Sequence, residues 1–213
     1  MVYKLENDNI WFPNPELADE DGLLAVGGDL SVERLLLAYQ NGIFPWFSDE
    51  TPILWYSPHE RYVLFPEKVR ITKSMKQVIR GKRMKVTVDQ NFEEVINACA
   101  TVNRGDEPGT GTWITDNMKS AYIQLHKQGY AHSFEVWQNQ ELVGGLYGMV
   151  INNVFCGESM FSRASNASKL ALITLCKNTN SRMIDCQMHN AHLESMGCEF
   201  ISREEYLRIL NNG

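Results

Sequence analysis

Residues 131–161, AHSFEVWQNQELVGGLYGMVINNVFCGESMF, decide the fold. AHSFEVW and LVGGLYGMVI are rich in β-branched, aromatic and small residues, and the polar QNQE between them reads as a turn. Asn152-Asn153 makes a second tight turn before VFCGESMF. The pattern predicts a three-stranded antiparallel meander.

Helical periodicity surrounds that meander. MKVTV (84–88) reads as a strand, and NFEEVINACATV and TDNMKSAYIQLHKQG as helices, the second ended by Gly129. Downstream, SNASKLALITLCKNT is a helix, MIDCQM a strand, NAHLESMG a short helix, and EFISREEYLRILNN a strand fragment plus a helix. Strands in a run followed by alternating helix and strand predict a mixed α/β domain over 66–213. The same order suits the acyl-CoA-dependent N-acetyltransferases. Where those enzymes carry a Gly-rich turn for the CoA pyrophosphate, this chain has FSRASNASKL, whose lack of glycine disfavours CoA as a cofactor.

The first third reads differently. The irregular stretch IWFPNPELADEDGLLAVGGDL leads to Ser31, an N-cap for a helix through VERLLLAYQNG that stops at Gly42. From Phe44 to Pro66, prolines at 45, 52, 58 and 66 mix with Trp46, Trp55, Tyr56, Tyr62 and Phe65, which suits short strands in a small domain ending near residue 65. The expected fold class is therefore α+β, with a small N-terminal domain over 1–65.

With 44% hydrophobic and 22% charged residues in 213, the chain suits a soluble globular protein. No apolar run nears the roughly 20 residues that span a bilayer. MVYKLENDNIWFPNP lacks the basic region and apolar core of a signal peptide, so a cytoplasmic location is expected. Cysteines 99, 156, 176, 186 and 198 are scattered without a C-x-x-C spacing and read as buried thiols. His189 and His192 lack a third ligand at a supporting distance, so no metal is expected.

Charge is unevenly placed. The net charge is −6, yet eight of the 20 Lys and Arg lie between Lys68 and Lys85, with no acid among them. Lys73, Lys76 and Arg80 fall at i, i+3 and i+7, on one helical face. A face that merely solubilises a helix usually mixes signs, so this one points to phosphate.

Three polar residues stand in apolar company. In an extended strand Asp185 and Gln187 share a face, where the acid can hold and polarise the amide. Glu158 raises the same question within VFCGESMF; it lines an acidic pocket with Asp185 if the strands are neighbours, or else pairs with Arg163. Tyr39, Trp46, Trp113 and Tyr122 read singly as core, and collectively as a surface on which an unpaired base could stack.

In order and wording, GLLAVGGDL, AYQNGIFPWF, ILWYSP, GTWIT, HS-x-EVW, LVGGLYG, FCGESMFSR-x-SNASK and IDCQ resemble the leucyl/phenylalanyl-tRNA–protein transferase family over nearly the whole chain. The resemblance implies an acetyltransferase-like C-terminal domain and transfer of Leu or Phe from aminoacyl-tRNA to the N-terminal Arg or Lys of a protein, marking it for degradation. No cofactor and no membrane partner are implied, and a monomer is expected. It also implies site roles. Gln187 is catalytic, as a proton acceptor or by positioning the amine, with Asp185 polarising its amide; Glu158, Asp185 and Asn190 bind the acceptor. Leu146, Phe155, Leu172, Leu175 and Ile184 form the aminoacyl pocket. Tyr39, Trp46, Trp113 and Tyr122 take the terminal adenosine, and Lys73, Lys76, Arg80, Lys82 and Arg83 contact the tRNA.

The chain departs from the family pattern in three places. NRGDEPGTG (103–111) is longer than in many relatives, KNTNSR before Met183 is shorter and lacks a Gly-rich turn, and Leu146 stands where Met is common.

Overall fold

Two sheets organise the protein, whose computed structural model describes residues 2–102 and 113–212. The first is built from β1 (Tyr3–Leu5), β2 (Leu23–Gly27), β3 (Phe44–Pro45) and β4 (Leu54–Tyr56), in the order β1-β2-β4-β3. Helix α1 (Val32–Gln40) joins β2 to β3 and starts at Ser31, whose side chain accepts from the Arg34 N–H.

The second sheet comprises β5 (Glu60–Leu64), β6 (Lys85–Val88), β7 (Ala131–Gln138), β8 (Glu141–Ile151), β9 (Val154–Ser162), β10 (Met183–Asp185) and β11 (Glu199–Ser202). Its order is β11-β5-β10-β9-β8-β7-β6. The meander is there as β7-β8-β9, and its turns use the left-handed backbone at Asn139, Gln140, Asn152 and Asn153. β10 runs parallel to β9 after the crossover helix α5 (Ala167–Asn178), and the other pairings in this sheet are antiparallel. Strand β5 thus lies within the larger sheet, so hydrogen bonding puts residues 60–64 on the C-terminal side of the division expected near residue 65. The loop 103–111 lies outside the described residues.

Alternation along the strands builds a core on each face of the large sheet. Leu146, Phe155 and Ile184 pack against α5, together with Leu172 and Leu175. Tyr147, Met149, Val154 and Cys156 face the other way, against α3 (Phe92–Thr101), α4 (Asp116–Lys127) and the N-terminal sheet, sharing one core with Leu24, Tyr39 and Trp55. Helix α2 (Lys73–Gly81), capped by Thr72, sinks only Met75 and leaves Lys73, Lys76 and Arg80 exposed. The short α6 (Ala191–Met196) and the C-terminal α7 (Arg203–Asn211) complete the chain.

One irregularity positions the chemistry. Tyr147 pairs with Ser159 but Gly148 pairs with Gly157, which leaves Glu158 as the extra residue of a β-bulge in β9. Gly148 permits this approach, because a Cβ there would lie 2.2 Å from the Cys156 carbonyl oxygen and 2.6 Å from the Phe155 ring. Gly148→Ala is expected to cost about 1–3 kcal/mol or more by overpacking. Thermal unfolding should show a lower Tm, whereas Gly81→Ala, which meets nothing within 4 Å, should leave it unchanged or raised.

Candidate active site

Two cavities meet at the bulge of β9 and the end of β10. The first, of about 420 Å³, is lined by Leu146, Phe155, Leu172, Leu175 and Ile184, so the structure brings all five expected aminoacyl-pocket residues together. Met160, Leu193 and His192 join them. The second, of about 290 Å³, is walled by Phe44, Pro45, Trp46, Trp113, Met188 and His189. Glu158, Cys186, Gln187 and Asn190 line both. Glu158 is the only acid on either wall among the described residues.

Glu158 is 6% exposed and held from three sides. Tyr39 Oη donates to its Oε1 at 2.6 Å, Tyr122 Oη to its Oε2 at 2.9 Å, and Gln187 Nε2 to Oε1 at 3.0 Å. The two phenols also touch each other. Burial outweighs these donors and, with Asp185 nearby, pushes the Glu158 carboxyl up to about 7. Burial and then the Glu158 charge push both phenols well above the usual tyrosine range, so they stay protonated donors.

Gln187 has an unusual backbone. Strand β10 ends at Asp185, and Gln187 sits at φ +60 inside a tight turn closed by the Met188 N–H on the Cys186 carbonyl at 2.7 Å. A non-glycine residue in that region is strained, and such strain concentrates at working sites. Since its NH2 faces a carboxylate, the Gln187 amide oxygen is turned away from Glu158 and is left to accept a hydrogen bond.

Asp185 has a different setting. It is fully buried and ion-paired with Arg61 of β5, whose Nε donates to Oδ1 at 3.3 Å. The Tyr206 hydroxyl donates to Oδ2 at 3.0 Å, and the Gln187 backbone N–H to Oδ1 at 2.9 Å. Arg61 Nη1 reaches the Gly42 carbonyl at 2.9 Å, which ties α1 and β3 to this pair.

The sequence profile of the leucyl/phenylalanyl-tRNA protein transferases matches residues 63–211, and that of their N-terminal domain matches 28–59. The leucyl/phenylalanyl-tRNA–protein transferase of Flavobacterium johnsoniae is 52% identical over 214 residues, covering 99% of this chain and 100% of its own. This chain belongs to that family. Its namesake in Syntrophus aciditrophicus is 53% identical, over 94% of this chain and 84% of its own. Among solved structures, a GCN5-related N-acetyltransferase from Kribbella flavida overlaps 76% of this chain and 58% of its own, at 9% identity and a TM-score of 0.41, too loose a likeness to carry an argument.

Several residues singled out for this family land differently from expectation. Asp185 is not free to face a cationic acceptor, because Arg61 already neutralises it. Nor does it polarise the Gln187 side-chain amide; it holds that residue's backbone N–H, and Glu158 holds the amide. Tyr39 and Tyr122, 1% and 0% exposed, present no ring to an adenine and instead clamp Glu158. Only Trp46, 41% exposed, and the half-buried Trp113 line an open wall. Arg163 bonds the Leu142 carbonyl and lies over Phe161 rather than pairing with Glu158. Asn190 reaches both cavities while its Oδ1 caps α6 on the Leu193 N–H. Lys73, Lys76, Arg80, Lys82 and Arg83 are all exposed, and among the described residues none is in an ion pair.

Arg61, Tyr206 and Met188 join the site without an expectation from the sequence, and Cys186, expected to be a buried thiol, is half-buried and lines both cavities. Arg61 had a signal: it is the one basic residue inside the apolar run RYVLF, the counterpart that a buried Asp185 demands.

The two carboxylates predict opposite stabilities. Asp185→Asn strands a buried guanidinium and should cost about 3–5 kcal/mol in denaturant unfolding. For Glu158 the folded pKa is raised, from 4.5 to about 7. Its stabilising contribution is therefore full below about 4.5 and lost as pH rises through about 7. Glu158→Gln should thus be at least as stable as the parent at pH 8, measured by Tm across pH 5–8.

Proposed function

We propose that the protein transfers a leucyl or phenylalanyl group from its tRNA ester to the α-amine of an N-terminal Arg or Lys. The observation that carries this reading is the meeting of an apolar cavity and an aromatic-walled one at Gln187 and Glu158. The first fits an unbranched-β side chain such as Leu or Phe, and its lining stacks Phe155 edge-on to Phe134. The second offers Trp46 and Trp113 to the terminal adenosine and an opening for the acceptor.

The reaction needs positioning and one proton acceptor, because the ester is already activated. The Gln187 amide oxygen accepts from the incoming amine and aims its lone pair at the ester carbonyl. A neutral amide is a poor base, and Gln187 therefore orients the amine. The amine nitrogen forms the new C–N bond, the C–O bond to the ribose breaks, and the proton shed by nitrogen is relayed to Glu158 through the neighbouring ribose hydroxyl. Protonated Glu158 then returns a proton toward the leaving ribose oxygen. A guanidinium or ammonium from the acceptor side chain in the second cavity favours ionised Glu158 beforehand. The exposed basic face of α2 and the Lys82–Arg83 turn meets the tRNA phosphates, which gives affinity without base readout.

Labelled Leu-tRNA with an Arg-starting peptide tests the activity; transfer is expected there and not to an Ala-starting peptide. Active protein needs ionised Glu158 and a neutral amine, whose ordinary pKa is roughly 7.7–8.0. Below pH 6.5 the logarithm of the rate should therefore rise with a slope near two. Glu158→Gln should lower the rate about 10²-fold and leave a slope near one. An unchanged slope would remove Glu158 from the proton path. For the basic face, Lys76→Ala with Arg80→Ala should weaken tRNA binding and flatten its salt dependence by about 0.9 per lost phosphate contact, read from binding between 50 and 200 mM salt.

A further inference from the structure

Cys186 and Cys198 bring their Sγ atoms to 3.7 Å. Cys186 directly precedes Gln187 and lines both cavities, while Cys198, 9% exposed, follows Gly197 at the end of α6. A disulfide needs about 2.05 Å, so closure asks for a shift of roughly 1.7 Å shared between two short connecting segments. One of those segments is the Gln187 turn itself. The Cys186 carbonyl receives the Met188 N–H that closes the turn, and the Cys186 N–H donates to the Tyr62 carbonyl at 2.8 Å. Any displacement of Cys186 is thereby passed to Gln187 and its amide on Glu158.

We propose that Cys186 and Cys198 are an oxidisable dithiol, a modification site for peroxides whose disulfide switches off the transfer site. The consequence for activity rests on the function proposed above; the oxidation itself does not. Cys186, the half-buried member of the pair and the one that lines the cavities, attacks one peroxide oxygen as its thiolate and becomes the sulfenic acid, releasing an alcohol or water. The Cys198 thiol then attacks that sulfur and expels water, forming the S–S bond. Two thiols lose two electrons and two protons, and one peroxide O–O bond is reduced. The hydrogen bond to Cys198, together with burial, pushes the Cys186 thiol well above its usual range, so the reaction is slow near neutrality and speeds up as pH rises. Cys99, Cys156 and Cys176 are buried and line neither cavity.

Trypsin leaves both cysteines in one peptide, residues 183–203, so the disulfide reads as a loss of two hydrogens there without reduction. The full chain would be treated with hydrogen peroxide at pH 7 and pH 8.5, then mapped and assayed with Leu-tRNA. Loss of the two hydrogens, faster at the higher pH, is expected to parallel a fall in transfer of about 10²-fold, the effect of an ångström-scale misplacement. Dithiothreitol should restore both. Cys198→Ala should keep its basal transfer and show no loss of two hydrogens from that peptide, with Cys176→Ala behaving as the parent. An unaltered 183–203 peptide, or a formed disulfide with full transfer, overturns the proposal. Absence of transfer in untreated protein would instead count against the proposed function. The effect of the disulfide would then be read from binding of a leucyl-adenosine analogue to the cavities that Cys186 lines, weakened on oxidation if the proposal holds and unchanged if it does not.

Discussion

The buried pair of Arg61 and Asp185 is the constraint on which the site depends. It joins neighbouring strands β5 and β10, and Arg61 continues to the Gly42 carbonyl and lies over the Phe44 and Tyr206 rings at 4.8 and 4.4 Å. One cation thus ties the N-terminal sheet region, the centre of the large sheet and the C-terminal helix. Such a pair adds little stability over an apolar isostere, yet removing one member is costly. Its contribution is registry: it fixes the Asp185 carboxylate, whose Oδ1 takes the Gln187 N–H away from the strand ladder and favours a turn there.

That turn divides the work between two carboxylates. Asp185 spends its charge on Arg61, Tyr206 and a backbone N–H, and fixes Gln187 in a left-handed conformation. Glu158, displaced from its ladder by the bulge, has hydrogen-bond donors but, among the described residues, no cation of its own. Desolvation therefore sets its proton affinity near neutrality. Two acids pushed apart by their surroundings are a recurrent way to obtain a group that exchanges protons at pH 7.

Much of the architecture was legible because it rests on local rules. The Asn-rich turns announced the meander, Ser31 and the sequence before Gly81 announced helices, and the run of unpaired cations announced an exposed face. The five pocket residues followed from motif resemblance and converge as expected. The rest depended on non-local geometry. Period-two reasoning carried Gln187 along an extended strand, whereas the strand stops two residues earlier. Tyr39 and Tyr122 have the composition of stacking residues, and only the packing of α1 against α4 turns their hydroxyls onto Glu158. A bulge adds one residue to a ladder without altering composition, so nothing in VFCGESMF told Glu158 from its neighbours beyond its charge.

The central claim is that Glu158 is the proton acceptor because the fold holds its carboxyl near neutrality. A carboxyl carbon NMR titration of Glu-labelled protein, with Glu158→Gln identifying the resonance, tests it most directly. The account predicts that the Glu158 signal titrates at about 7. Titration near 4.3, the value of an ordinary solvated glutamate, would contradict it.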